Sequence, residues 1–249
     1  MALIAGASPY SLSFTPGCLT FDVLRKKMPI RAVIFDLDQT LLDRTESLSE
    51  FLRWQTEGIL KADLESPSDF VSRFIELDNN GRVCKDEVYQ RLIEEFKIME
   101  WKMEELLSVY ENCFCAFCVS RAGAEQAILE LSRDYRLGLI SNGKTPFQER
   151  NFRSLGYSDL FDSVVVSDAA GMRKPDTEIF HPGCSELDVS PGEAVFVGDS
   201  PTADIQGARN AGLKTIFVPT ELFPTCDDFD ETCGDLATLP VIVNNLTVR

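Results

Sequence analysis

A chain of 249 residues, 44% hydrophobic and 26% charged, is long enough for one large or two small domains with a real core, which excludes a disordered, collagenous or disulfide-stapled peptide. Its 24 Lys and Arg against 40 Asp and Glu leave a formal net charge of −16, so the average surface repels nucleic acid and anionic membranes. Any anionic ligand therefore needs a local cation, and no apolar run reaches the ~18 residues that a membrane span requires.

Residues 1 to 28 lack the basic first residues of a secretory signal and are interrupted by Pro9, Pro16 and Gly17. They are expected to be a disordered or loosely docked tail of a cytoplasmic protein, and Met28 offers an alternative start. Five short apolar runs follow: Ala32 to Phe35, Leu137 to Ile140, Val164 to Val166, Ala194 to Val197 and Thr215 to Val218. None alternates with polar residues, which is the mark of strands covered on both faces, as in a parallel sheet. The last four lie about 20 to 30 residues apart, room for one crossover helix each. Helices are predicted over 122–134, 145–155, 176–187 and 201–211, with Gly212 ending the last. The fold class is α/β, a Rossmann-like doubly wound parallel sheet.

Between the first and second runs, residues 46–121 carry no comparable strand signal and are too long for a simple crossover. Leu48, Phe51, Leu52, Ile59 and Leu60 recur at helical spacing, as do Val88, Leu92, Ile93 and Phe96. Ser66-Pro67-Ser68-Asp69 reads as a helix start with a capping hydroxyl and Pro in the first turn. The expected organisation is thus a tail (1–28), a core built from 29–45 and 122–249, and a small helical unit inserted at 46–121. The eight cysteines are expected to be buried free thiols, because Cys113, Cys115 and Cys118 lack the paired spacing or nearby His of a zinc site. The acidic stretch from Cys226 to Asp235 reads as a solvated loop.

In open α/β sheets, ligands bind at the carboxyl ends of the strands. The first run ends in Asp36-Leu37-Asp38-Gln39-Thr40, whose two carboxylates at i and i+2 point to the same side of an extended chain. The second ends in Ser141-Asn142-Gly143-Lys144 and the fourth in Gly198-Asp199, followed by Asp204; a basic loop between the third and fourth contains Arg173 and Lys174. Clustered carboxylates resist ionisation unless a cation joins them, and an all-oxygen site points to Mg²⁺. Lys174 and the Ser141 hydroxyl would hold an anion against the acidic background, and a phosphoryl group fits. One carboxylate can then attack phosphorus while the other moves protons. His181 is expected to be structural. Arg73, Arg82, Lys85 and Arg91 read as solvated charges of the insert, of which one could reach a substrate.

These motifs, in this order, resemble those of the haloacid dehalogenase superfamily of phosphohydrolases: D-x-D-x-T at Asp36 to Thr40, Ser141, Lys174, and G-D-x-x-x-x-D at Gly198 to Asp204. The likeness spans roughly residues 30 to 220, and the helical insertion is similar to the C1 cap of subfamily I. The resemblance implies Asp36 as nucleophile and Mg²⁺ ligand, and Asp38 as acid and base with its carbonyl on the metal. It implies Ser141 and Lys174, helped by Asn142, on the phosphoryl oxygens, Asp199 on the metal, and Thr40 and Asp204 in support. Gln39 departs from the Gly or Asp of many relatives. The expected activity is Mg²⁺-dependent hydrolysis of a small phosphomonoester, of nucleoside monophosphate, sugar phosphate or phosphoglycolate type, by a monomer or weak homodimer. A phosphomutase and a non-catalytic binding module of the same fold are the alternatives.

Overall fold

The computed structural model describes residues 29–248, so the tail expected over 1 to 28 lies outside the described residues. Six strands, β1 (Ala32–Phe35), β2 (Arg136–Ser141), β3 (Ser163–Val166), β4 (Ala194–Gly198), β5 (Lys214–Phe217) and β6 (Glu231–Thr232), form one parallel sheet in the order β3-β2-β1-β4-β5-β6. Chain direction reverses its progress across the sheet beside β1, whose Val33 pairs with Leu137 on one side and Val195 on the other. Strand alternation divides the apolar runs between two layers. Val33, Phe35, Leu137, Leu139, Val195 and Val197 face one core with Ile128 and Phe152, while Ala32, Ile34, Ile140 and Phe196 face another with Phe180 and Leu187. Both faces are covered, and this is why the runs do not alternate with polar residues.

Helices α1 (Arg44–Trp54), α2 (Pro67–Asp78), α3 (Lys85–Phe96) and α4 (Met103–Cys113) follow β1 and enclose a third core. Phe51, Phe70, Phe74, Tyr89 and Leu92 are fully buried there, and Phe147 from the sheet domain packs against it. The sheet domain carries α5 (Ala124–Leu131), α6 (Phe147–Ser154), α7 (Ser167–Ala170), α8 (Phe180–Glu186), α9 (Gly207–Asn210) and α10 (Leu239–Val248). No described helix is long and apolar enough to cross a membrane.

Several expectations need correction. The helix expected over 176–187 opens as a 3₁₀ turn, Thr177–Ile179, because Pro182 has no N–H to extend an α ladder backwards. The one over 201–211 opens as a π turn, Pro201–Gln206, before α9. Although α2 starts at Pro67, the Ser66 hydroxyl does not cap it and instead meets the Ser68 hydroxyl at 3.2 Å. The acidic stretch from Cys226 is not simply solvated: Glu231 and Thr232 extend the sheet as β6, Cys233 is buried, and Asp230 pairs with Lys214 at 2.7 Å. The described cysteines are free, yet only Cys184 and Cys233 are buried; Cys84 is exposed and the others are half-buried.

Candidate active site

The carboxyl edge of the sheet gathers the charged residues. Asp36 continues the ladder, its N–H donating to the Val197 carbonyl at 2.9 Å, so the carboxylate is aimed from a rigid strand. The chain then turns at once: the N–H groups of Leu41 and Leu42 donate to the Leu37 carbonyl at 3.0 and 2.9 Å, and Gln39 adopts a left-handed φ of 61°. That conformation favours Gly and tolerates Asp, which gives the departure at position 39 a physical meaning. Arg121 holds this turn through a hydrogen bond to the Gln39 carbonyl.

Lys174 is 3% exposed, and its Nζ donates to Asp36 Oδ1 at 2.6 Å and to Asp204 Oδ1 at 2.7 Å. The loop that presents it is fastened by Asn142, whose amide donates to the Lys174 carbonyl and accepts from the Lys174 N–H, both at 2.9 Å. Asn142, expected to help Ser141 and Lys174 with the phosphoryl oxygens, is engaged here with the lysine backbone and lines both cavities of the site. Asp204 lies close against Gly198, where a Cβ would come within 2.6 Å of its side chain; only glycine leaves that room. The Ser200 N–H completes the hold on Asp204 at 2.9 Å.

Asp36, Asp199 and Asp204 bring carboxylate oxygens within 4.8 Å of one another, the only such group of candidate metal ligands among the described residues. Cys113, Cys115 and Cys118 form none. Three buried carboxylates share one ammonium, and the imbalance shows. Burial pushes Asp36 up to about 7, against the opposing pull of Lys174, with Asp204 and Asp38 adding to the rise. Asp199 is pushed up to about 9 by burial and then by Asp36 and Asp204. Lys174 is held above its ordinary value, since Asp204 and Asp36 outweigh its burial. A set of hard oxygen donors with surplus negative charge suits a hard divalent cation such as Mg²⁺.

Asp38 and Ser141 meet through a residue the sequence did not single out. Gln148 Nε2, at the start of α6, donates to Asp38 Oδ2 at 2.7 Å and to Ser141 Oγ at 2.9 Å. Thr40 is fully buried beside this turn, its hydroxyl without a hydrogen-bond partner among the described residues. A cavity of about 270 Å³ is lined by Asp36, Asp38, Lys174, Asp199, Arg44 and Arg82. It shares Asp38, Arg44 and Arg82 with a neighbour of about 410 Å³ that reaches Lys85, Tyr110 and Phe147. Of the insert's candidate cations, Arg82 and Lys85 thus reach the site. Arg91 pairs with Glu87, and Arg73 pairs with Glu76 and Glu95 at 2.7 Å each, so both belong to the outer surface. His181 is exposed on α8 and lines neither cavity. Arg44 was missed, having no motif to mark it.

The family model for haloacid dehalogenase-like hydrolases matches residues 33–218, which include every residue of this edge. The chain belongs to that family. Among similar proteins is the glyceraldehyde 3-phosphate phosphatase of Pyrococcus furiosus, 31% identical over 197 residues that cover 76% of this chain and 80% of the relative. The human N-acylneuraminate-9-phosphatase is 30% identical over 207 residues, covering 74% and 80%. The crystal structure of the family hydrolase YfnB from Bacillus subtilis, described as bound to magnesium, has the same fold with a TM-score of 0.73 at 24% identity, over 87% of this chain and 99% of that one. By these relatives, this haloacid dehalogenase-like hydrolase stands among the family's phosphatases.

Proposed function

We propose that the chain hydrolyses small phosphomonoesters in a Mg²⁺-dependent reaction that passes through an aspartyl phosphate on Asp36. The observation that carries this reading is the convergence of a strand-end carboxylate, a buried lysine and a carboxylate surplus on one cavity edge. Asp36, Asp199 and the Asp38 carbonyl would hold the Mg²⁺, which would neutralise charge on the phosphoryl oxygens.

The chain's own groups divide the work. Lys174 occupies one oxygen of Asp36, leaving the other to act as nucleophile, and it adds a positive charge beside the phosphoryl group. As the Asp36 oxygen bonds to phosphorus, the bond to the ester oxygen breaks, and Asp38 gives that oxygen a proton. Gln148 fixes Asp38 Oδ2 as an acceptor, so the proton sits on Oδ1. The same amide occupies a lone pair of Ser141, which turns the hydroxyl hydrogen outward to a phosphoryl oxygen. In the second half, water attacks phosphorus, the bond to Asp36 breaks, and Asp38 takes the water's proton. The site is then as it began.

Substrates of the class that the similar phosphatases are named for, phosphorylated three-carbon and larger sugars, fit a phosphoryl pocket opening into a second cavity of about 410 Å³. Phosphate release from a panel of such esters tests the proposal. Activity that needs Mg²⁺, stops in EDTA and falls to background in Asp36→Asn is expected. Undiminished turnover in either case would contradict it.

A further inference from the structure

The larger cavity has a charged wall that the phosphoryl chemistry does not use. Asp78, the last residue of α2, is 1% exposed and bonds two cations at once: Arg44 Nη2 at 2.9 Å and the Lys85 ammonium. The side chains of Arg44 and Lys85 are only 12% and 14% exposed. The loop after α2 is wrapped around this cluster. Asn79, Asn80 and Gly81 are all left-handed, with φ of 45°, 55° and 79°, and the Gly81 N–H donates to Asp78 Oδ2 at 2.8 Å. A Cβ on Gly81 would stand 3.2 Å from Arg44 Nη2, so glycine lets the loop close over the guanidinium.

One buried carboxylate needs one cation. A second costs desolvation and like-charge repulsion, and both act on Lys85: burial and Arg44 pull it down while Asp78 holds it up. The cluster is left with one positive charge, facing a cavity in a protein of net charge −16. Of the carboxylates that line that cavity, Glu111 pairs with Lys144 at 3.4 Å, Asp86 is exposed, and Asp38, whose charge also reaches Arg44 and Lys85, is bound by the Gln148 amide at 2.7 Å. Arg44 also lines the smaller cavity with Asp36 and Lys174, so one short ester can span both. Tyr110 and Phe147, stacked at 5.3 Å, give its carbon chain an apolar wall.

We propose that Arg44 and Lys85, oriented by Asp78, form a subsite for a carboxylate on the leaving group, so that the preferred substrates are phosphomonoesters carrying a second, carboxylate anion. The one surplus positive charge of the Arg44, Lys85 and Asp78 cluster matches a monoanion, and the planar guanidinium offers the paired donors that a carboxylate accepts. This inference rests on the phosphatase reading for the orientation of the ester, and it deepens that reading by naming the leaving-group class.

The test is equilibrium binding, by calorimetry with Mg²⁺ present, of 3-phosphoglycerate and glycerol 3-phosphate, which differ in a carboxylate against a hydroxymethyl. Asp38→Asn is the parent, so that bound ester is not consumed. It is expected to prefer the acid by about tenfold or more, the scale of a charge-assisted hydrogen bond. Adding Lys85→Met should erase the preference while changing glycerol 3-phosphate binding less than about twofold, and Lys85→Arg should keep it. Equal binding of both esters by the parent, a comparison that needs no cap variant to fold, overturns the subsite. So does an equal weakening of both esters by Lys85→Met. Failure of the phosphatase reading would be a different result: no phosphate release from any ester by the wild-type chain, with the binding preference still measured on its own.

Discussion

Replacing Lys174 with Met tests how the site is held together. The thioether keeps the apolar stem, which packs with its head 5.1 Å from the Phe196 ring centroid, and removes only the charge. Two hydrogen-bonded ion pairs, at 2.6 and 2.7 Å, disappear from a place where the lysine is 3% exposed. Breaking a buried pair by removing one partner costs about 3–5 kcal/mol, because the carboxylates left behind stay desolvated. For a domain of this size that corresponds to a Tm lower by about 6–20 °C. The loss also has a pH signature. Asp36 is already pushed up to about 7 with the lysine present. Without it Asp36 rises further, so near pH 5.5 it is protonated and the destabilisation shrinks, while near pH 8 it is largest. Thermal unfolding followed by circular dichroism in EDTA at those two pH values is the assay. A Tm within about 2 °C of wild type near pH 8, or an equal drop at both pH values, would refute the reasoning.

The metal-free wild type should itself become less stable as pH rises. Asp36 and Asp199 have folded-state values of about 7 and about 9, above those of the unfolded chain, so the stabilisation present at low pH is lost as pH climbs through them. Saturating Mg²⁺ should flatten that slope and, at about 100 times its Kd, add about 2.7 kcal/mol; parallel Tm curves from acid to alkaline pH with and without the metal would contradict the carboxylate surplus. Gln148→Leu should lower kcat by about 10- to 100-fold with little change in KM, since it frees Asp38 and Ser141 from their shared donor. Steady-state kinetics showing kcat within about twofold of wild type would remove Gln148 from the positioning role.

The sheet was legible because both of its faces are buried, which leaves strands such as Ala32 to Phe35 as unbroken apolar runs. Asp36, Ser141 and Asp199 were legible because each stands at the end of such a run, where an open sheet places its ligand groups, and Lys174 because it lies in a basic loop between two of them. What escaped has no local signal. β6 is two polar residues at a sheet edge, and its pairing with β5 is visible only in three dimensions. Gln148 sits in an ordinary helix start and matters because the turn after β2 folds it back onto Ser141. Arg44 and Asp78 escaped too: they meet Lys85, already a candidate cation in the sequence, only when three helices of the insert pack, so their spacing carries no period. Ser66 shows the opposite failure: a sound capping pattern in which the hydroxyl found another hydroxyl first.

The central claim is that phosphorus is transferred twice, first to Asp36 and then to water. Its most direct test is the stereochemical course at phosphorus, read from hydrolysis of a chirally oxygen-labelled thiophosphate ester in the presence of Mg²⁺. Two in-line displacements each invert the centre, so the account predicts net retention of configuration in the released thiophosphate. Net inversion would show a single direct attack by water, and would contradict Asp36 as the nucleophile.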